Sequence, residues 1–307
     1  MGIYGKLLMI QEQQELEANI LREFDIIYES EQTKKSIIQK IVELIERFKQ
    51  FILRKIKEIK QKLAKLFVKR KDKLNELEKK VKEEESATTD KEEKSSNDDK
   101  EEKSSNNDNG DNSSKKDESI KQEEKEKPFK EFEIEYIPVY DDAPSTIALL
   151  RTNLSNTNWA NIEDIDKYSK SINLDLKDYY KVIKRLHNIC DNFKSEKVTI
   201  HSKEESKDFR KEIIRCKRIT GKMIGNLVEN DFTKVASEIV IVMGKLEKDI
   251  KSLENKNIDG DLNQLIASVK NVLSMLSDAN YAAKRLMQKI YQADNYNRIA
   301  YCKIILN

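Results

Sequence analysis

The chain has 307 residues, of which 37% are charged and 37% hydrophobic, with only 7 Gly, 3 Pro and 3 Cys. So low an apolar share beside so high a charged share places part of the chain outside any core, and the scarcity of Gly and Pro makes helix the expected state of what is ordered. Cys190, Cys216 and Cys302 are widely spaced, odd in number and form no Cys-x-x-Cys, which argues against a disulfide framework or a zinc site and for a reducing compartment.

The net charge of +2 hides segregation into blocks: −5 over Met1–Glu31, +12 over Gln32–Lys82, −8 over Glu83–Pro128 and +3 over Phe129–Asn307. Blocks of this kind favour electrostatic contact between segments or between copies. Leu7–Ile10 is too short for the apolar part of a signal peptide and runs into Gln-Glu-Gln-Gln-Glu. No apolar stretch approaches the ~20 residues that span a bilayer. Neither a signal peptide nor a membrane span is therefore expected.

The first block reads as a short helix. Leu16, Ile20, Phe24 and Ile27 fall on one side, and Glu12, Glu15, Glu23 and Asp25 lie on the other. Tyr28–Thr33 has the length of a turn between packed helices, so this acidic helix is placed to fold back on the next one as a hairpin.

The second block organises the chain. Ile41, Ile45, Phe48, Ile52, Ile56, Ile59, Leu63 and Leu66 recur in steps of three and four, the period of an α-helix. No Gly or Pro interrupts them. The opposite face is basic, with 18 Lys+Arg against 6 Asp+Glu from Lys34 to Lys82. Such a stripe needs cover, from a partner helix, a second copy of the chain or a membrane surface. Arg54, Lys55, Lys57, Lys60, Lys62, Lys65, Lys69 and Arg70 are the candidates for contact with a polyanion, whether anionic membrane or nucleic acid. The expected outcome is that the stripe meets protein and the lysines are a solvated face.

Glu83–Pro128 is almost devoid of apolar residues and repeats DKEEKSSN at Asp90–Asn97 and Asp99–Asn106. It cannot bury enough surface to offset its ordering entropy and reads as a disordered linker. The domains expected are therefore 1–82, an acidic helix plus a long basic amphipathic helix; 83–128, the linker; and 129–307, a helical bundle.

In the third part, Phe132, Ile134 and Tyr136 alternate with Glu131, Glu133 and Glu135, a strand-like period. With no second clear strand, an extended segment lying on helices is expected rather than a sheet. Helices follow: one opened by Pro144 and Ser145, one capped by Asn161, and a longer one opened by Asp175. A further one begins with a capping box at Ser202 and Glu205. Asp231–Lys256 is next, then a turn at Asp259-Gly-Asp and one or two helices over Leu262–Leu306. The fold class expected is all-α.

Chemistry-bearing patterns are sparse. His187 lies on a predicted helix and His201 in a loop, neither at metal-ligand spacing from a Cys or carboxylate. Asn255–Gly260 resembles a calcium loop, but its first position is Asn and its twelfth is Ile266. Gly221 and Gly225 have the spacing of close helix packing. Trp159 suits a core or interface anchor, and the tyrosines are too scattered to suggest a stacking platform. No P-loop, dinucleotide fingerprint, HExxH or GxSxG occurs. No catalytic residue, metal, cofactor or small-molecule substrate is expected, and the reading is a non-enzyme.

The acidic, Glu/Gln-rich opening that leads into ELIERFKQFILRKIKEIKQKLAKLF, Glu43–Phe67, followed by a charged spacer and a helical remainder, resembles internal or prohead-core structural proteins of large tailed bacteriophages. The resemblance covers about 70 residues and carries no diagnostic motif. It implies a virion or capsid-assembly role among other capsid proteins or copies of itself, with association of coiled-coil type through the amphipathic helix. A membrane-surface protein and a basic nucleic-acid-binding protein stand as the alternatives.

Overall fold

The computed structural model describes residues 18–27, 33–58, 79–81, 129–139, 142–159, 164–225, 232–255 and 260–307. Two N-terminal helices, α1 (18–27) and α2 (34–58), precede β1 (Phe132–Tyr136), α3 (Asp142–Asn156) and α4 (Ile165–Asn192). Then come β2 (Glu196–Ile200), α5 (Lys203–Met223), α6 (Phe232–Ser252) with a 3-10 turn at Leu253–Asn255, and α7 (Leu262–Leu306). The fold is all-α apart from one two-stranded sheet. The segment 83–128 lies outside the described residues.

The longest helix among the described residues, α7, sits at the centre. Of its 45 residues 21 are buried, at neighbouring pairs such as Leu265 and Ile266, Val272 and Leu273, Ala282 and Ala283, and Leu286 and Met287. Adjacent buried positions point in different directions around a helix, so this one is covered on several sides. At 1.5 Å per residue it extends about 67 Å. It runs as a single helix where one or two were expected.

Paired contacts fix the directions of its neighbours. Asp166 accepts a hydrogen bond from the Asp261 amide, His187 lies over Tyr281, and Asp191 pairs with Arg285. Residue numbers rise together along both helices, so α4 and α7 run parallel. Parallel neighbours need a long return, and β2, α5 and α6 supply it. In α5 the order is reversed: Lys217 stacks on Tyr301, and Thr220 donates to Asp294. The helix is therefore antiparallel to α7.

Helix ends are set by local chemistry. The Asp164 carboxylate accepts from the amides of Asp166 and Lys167 and caps α4. Asp175 does not open a helix as the sequence suggested. It lies inside α4, where its carboxylate accepts from the Trp159 indole N–H at 3.0 Å. Asn161, the expected cap, lies outside the described residues. Ser202 caps α5 through the Glu205 amide, while the Glu205 side chain reaches back to the His201 amide. Before α7, Gly260 has φ of +137°, and a Cβ there would meet the Ile165 Cβ at 2.7 Å. Only glycine fits that turn.

The expected lone extended segment is in fact half of a sheet. β1 pairs antiparallel with β2, from Phe132 opposite Ile200 to Tyr136 opposite Glu196. The partner strand escaped notice because EKVTI is five residues long and one face is solvated. Ile134, Tyr136 and Ile200 cover Ile213, Ala300 and Ile304, a small apolar cluster of their own. Just past β1, the buried Asn297 of α7 accepts from the Ile137 amide at 2.9 Å and donates to the Ile137 carbonyl at 3.0 Å.

The main core is one cluster that includes the N-terminal helices. Ile20, Phe24 and Ile27 of α1, and Ile38, Ile41, Ile45, Phe48 and Ile52 of α2, are buried together with residues of α3, α4, α6 and α7. Polar contacts follow the same route: Asp25 with Lys270 at 2.6 Å and Lys49 with Glu247 at 2.9 Å. Glu23 grips Arg47 in a two-point ion pair at 2.6 and 3.0 Å, which closes α1 on α2 as a hairpin. Gly221 and Gly225, read as a close-packing pair, do not mark a helix crossing: a Cβ at either position would meet no neighbouring atom within 4 Å.

Candidate functional site

The sequence singles out α2, and its described part divides sharply by face. Ile41, Ile45, Phe48 and Ile52 have no exposure at all. The stripe expected to meet another chain is, over this length, buried in the chain's own core. Cover thins toward residue 58: Ile56 is only partly buried against the core, and Leu53 is 40% exposed. Ile59, Leu63 and Leu66 lie outside the described residues.

Much of the charge on the other face has a partner. Arg47 is held charged by the Glu23 carboxylate. Lys49 bridges Glu46 and Glu247, and both acids raise its affinity for a proton. The Glu46 carboxyl is in turn held below the usual range, first by the Gln50 amide and then by Lys49. Lys55 reaches Glu58 at 3.1 Å and lies 5.8 Å from the centre of the Phe51 ring. Arg54 and Lys57 are exposed. Lys60, Lys62, Lys65, Lys69 and Arg70 are outside the described residues. A shallow surface depression of about 280 Å³ lies between the hairpin helices, lined by Ile20, Glu46, Arg47, Gln50 and Arg54. Its walls include the ion-paired Glu46 and Arg47, so it offers an apolar floor and a polar rim rather than a nucleophile with a base.

The remaining sequence candidates take structural positions. Trp159 is buried as an anchor. His201 is exposed beside Glu131 at 3.2 Å. Burial pushes the thiols of Cys190 and Cys216 up to about 11, away from reactive thiolate. Among the described residues no group of His, Cys, Asp or Glu is arranged to hold a metal ion, and no helix is long and apolar enough to cross a membrane.

One surface was not anticipated. The outer face of α4 carries Lys170, Lys177, Lys181 and Lys184 in a line, with Leu174 between them at 64% exposure. The spacing was readable, because these residues lie opposite Ile172, Leu176, Tyr179 and Ile183, all buried. What the sequence did not reveal is that Tyr180, 40% exposed, stands near α7, which brings Tyr281, 50% exposed, against His187. Parallel packing of α4 on α7 creates that proximity. No protein-family model, curated protein or solved structure matches this chain.

Proposed function

We propose that the protein is a non-enzymatic structural and assembly protein that associates with other protein chains through the C-terminal part of its basic amphipathic helix. The observation that supports this is the thinning of the core's cover along the described part of the stripe. The chain's own core encloses the stripe from Ile38 to Ile52 and thins at Ile56, whereas the apolar repeat of the sequence goes on to Ile59, Leu63 and Leu66. Those three side chains would add about 1.5–3 kcal/mol each when buried against a partner helix. The similarity of Glu43–Phe67 to internal and prohead-core proteins of large tailed phages supplies a setting, a virion or its assembly intermediate.

Sedimentation tests this reading. Leu63→Asp with Leu66→Asp is expected to convert an oligomeric parent to monomer while its helical circular dichroism is retained. A parent that is already monomeric at high concentration, or a double variant that sediments as the parent does, overturns it. Ile52→Asp is unsuitable for this purpose, because Ile52 is fully buried in the chain's own core and a charge there is expected to destabilise the fold itself.

A further inference from the structure

We propose that the outer edge of α4, together with the Tyr281 edge of α7, is a docking surface for single-stranded nucleic acid, with Lys170, Lys177, Lys181 and Lys184 meeting phosphates and Tyr180 and Tyr281 stacking on bases. This surface is separate from the amphipathic stripe of α2, and its test does not depend on that stripe.

The first argument is charge. From Lys170 to Lys184 the lysines line up along about 21 Å of helix. Among the described residues, Lys170, Lys177 and Lys184 make no direct ion pair, although Lys170 lies within electrostatic reach of Asp164. The acids nearby are already engaged for the most part. Asp178 pairs with Lys181 at 2.8 Å, and Asp191 pairs with Arg285 at 2.6 Å. Asp278 is the exception, within electrostatic reach of both Tyr180 and His187. It opposes a polyanion and provides a handle for the test.

The second argument is the interleaving of flat rings with the charge. Tyr180, 40% exposed, lies between Lys177 and Lys181 in α4, and Tyr281, 50% exposed, meets His187, three residues past Lys184, with ring centroids 5.9 Å apart. Stacking on exposed rings, with lysines tracking the backbone, is how single strands are bound without sequence readout. A membrane surface is less well served. Among the described residues, the only large aliphatic exposed on this face is Leu174. Interfacial helices need a continuous apolar side, which α4 has already buried against α3 and α7.

The experiment uses the full chain and a fluorescent oligothymidylate of about 15 nucleotides at about 50 mM salt, read by anisotropy. The parent is expected to bind. Lys170→Glu with Lys177→Glu and Lys184→Glu is expected to weaken binding at least about a hundredfold and to flatten its salt dependence. Tyr180→Ala and Tyr281→Ala are each expected to cost about tenfold. Asp278→Asn is expected to tighten binding, which a purely structural aspartate would not do. All these side chains are on the surface, and unchanged thermal melting confirms that the variants fold. A parent that does not bind overturns the proposal, as does binding that survives the triple Glu change, which would put the contact on the N-terminal lysines. So does loss with the Lys changes but none with the Tyr changes, accompanied by equal affinity for phosphatidylserine vesicles; that pattern belongs to a membrane surface.

Discussion

The two long helices α2 and α7 solve the same problem in opposite ways. In α2, apolar residues at steps of three and four make one stripe, and every turn shows water a charged face held by pairs such as Arg47–Glu23 and Lys49–Glu247. In α7, buried residues occur on several sides, many of them small: Ala279, Ala282, Ala283, Ala293 and Ala300 let neighbouring helices come close. An amphipathic helix announces itself in sequence but leaves open what covers it. A helix buried on several sides announces itself poorly but decides the packing of everything else. Here both helices contribute to one core, α2 tied to α6 through Lys49 and Glu247, and α1 tied to α7 through Asp25 and Lys270.

The sharpest way to break this comparison is to ask whether α2 is part of that core or an attachment to it. Phe48 has no exposed surface, so Phe48→Ala removes a large ring from a closed space and is expected to cost about 3–5 kcal/mol. Leu276→Ala in α7, equally buried, is expected to cost about 2–5 kcal/mol. Urea unfolding followed by circular dichroism should show one transition for both variants, displaced to lower denaturant. A separate early transition in Phe48→Ala alone would mean that the hairpin melts independently of the bundle.

A second test moves to the other end of α7, where the apolar cover is thin. The cluster beneath β1 and β2 has six buried residues, far fewer than the main core, so polar pinning carries more of the order there. Asn297 supplies it by satisfying both the amide and the carbonyl of Ile137. Asn297→Ala leaves two buried backbone groups unpaired and is expected to cost about 2–4 kcal/mol. Amide hydrogen exchange should rise first across Phe132–Val139 and Glu196–Ile200. Asn297→Asp keeps the acceptor but loses the donor, and exchange in the same segments should rise less than in Asn297→Ala unless the new charge drives α7 apart. Uniform exchange across the chain would show that Asn297 is not a local pin.

How much of this was legible depended on range. The α2 stripe, the Ser202 cap and the turn at Gly260 are encoded within a few turns of sequence, and local spacing exposes them. Asp175 misled because Asp is a good cap as well as a good acceptor for a distant indole, and Trp159 decides between the two only once folded. β2 was missed because a five-residue strand is defined by the strand it pairs with. The α4 lysine line could have been read by placing Ile172, Leu176, Tyr179 and Ile183 inward. The contact of Tyr281 with His187 could not, because it follows from the parallel packing of helices far apart in the chain.

The smallest expected effect concerns pH and again separates the helices. On α2 the notable carboxyl is Glu46, held low by Gln50 and Lys49; on α7 it is Asp294, held above the usual carboxylate range by burial, against the pull of Arg298 and Thr220. A raised carboxyl pKa means that the folded state holds the proton more tightly than the unfolded state. The stabilising contribution is therefore present in acid and is lost as pH rises from the ordinary aspartate range through the raised value. A lowered one works the other way, gained above the ordinary glutamate range and lost in acid. Because the Glu46 side chain is 40% exposed, solvent screens it and its share is small. Asp294→Asn is thus expected to flatten the fall in stability on the mildly acidic side of neutrality, while Glu46→Gln leaves that slope almost unchanged. Melting temperatures of both variants and the parent, taken at intervals from acid to neutral pH, check this. A slope unaffected by Asp294→Asn would show that Arg298 compensates the buried carboxylate fully, and that the polar contacts around α7 tune its packing without making it sensitive to acid.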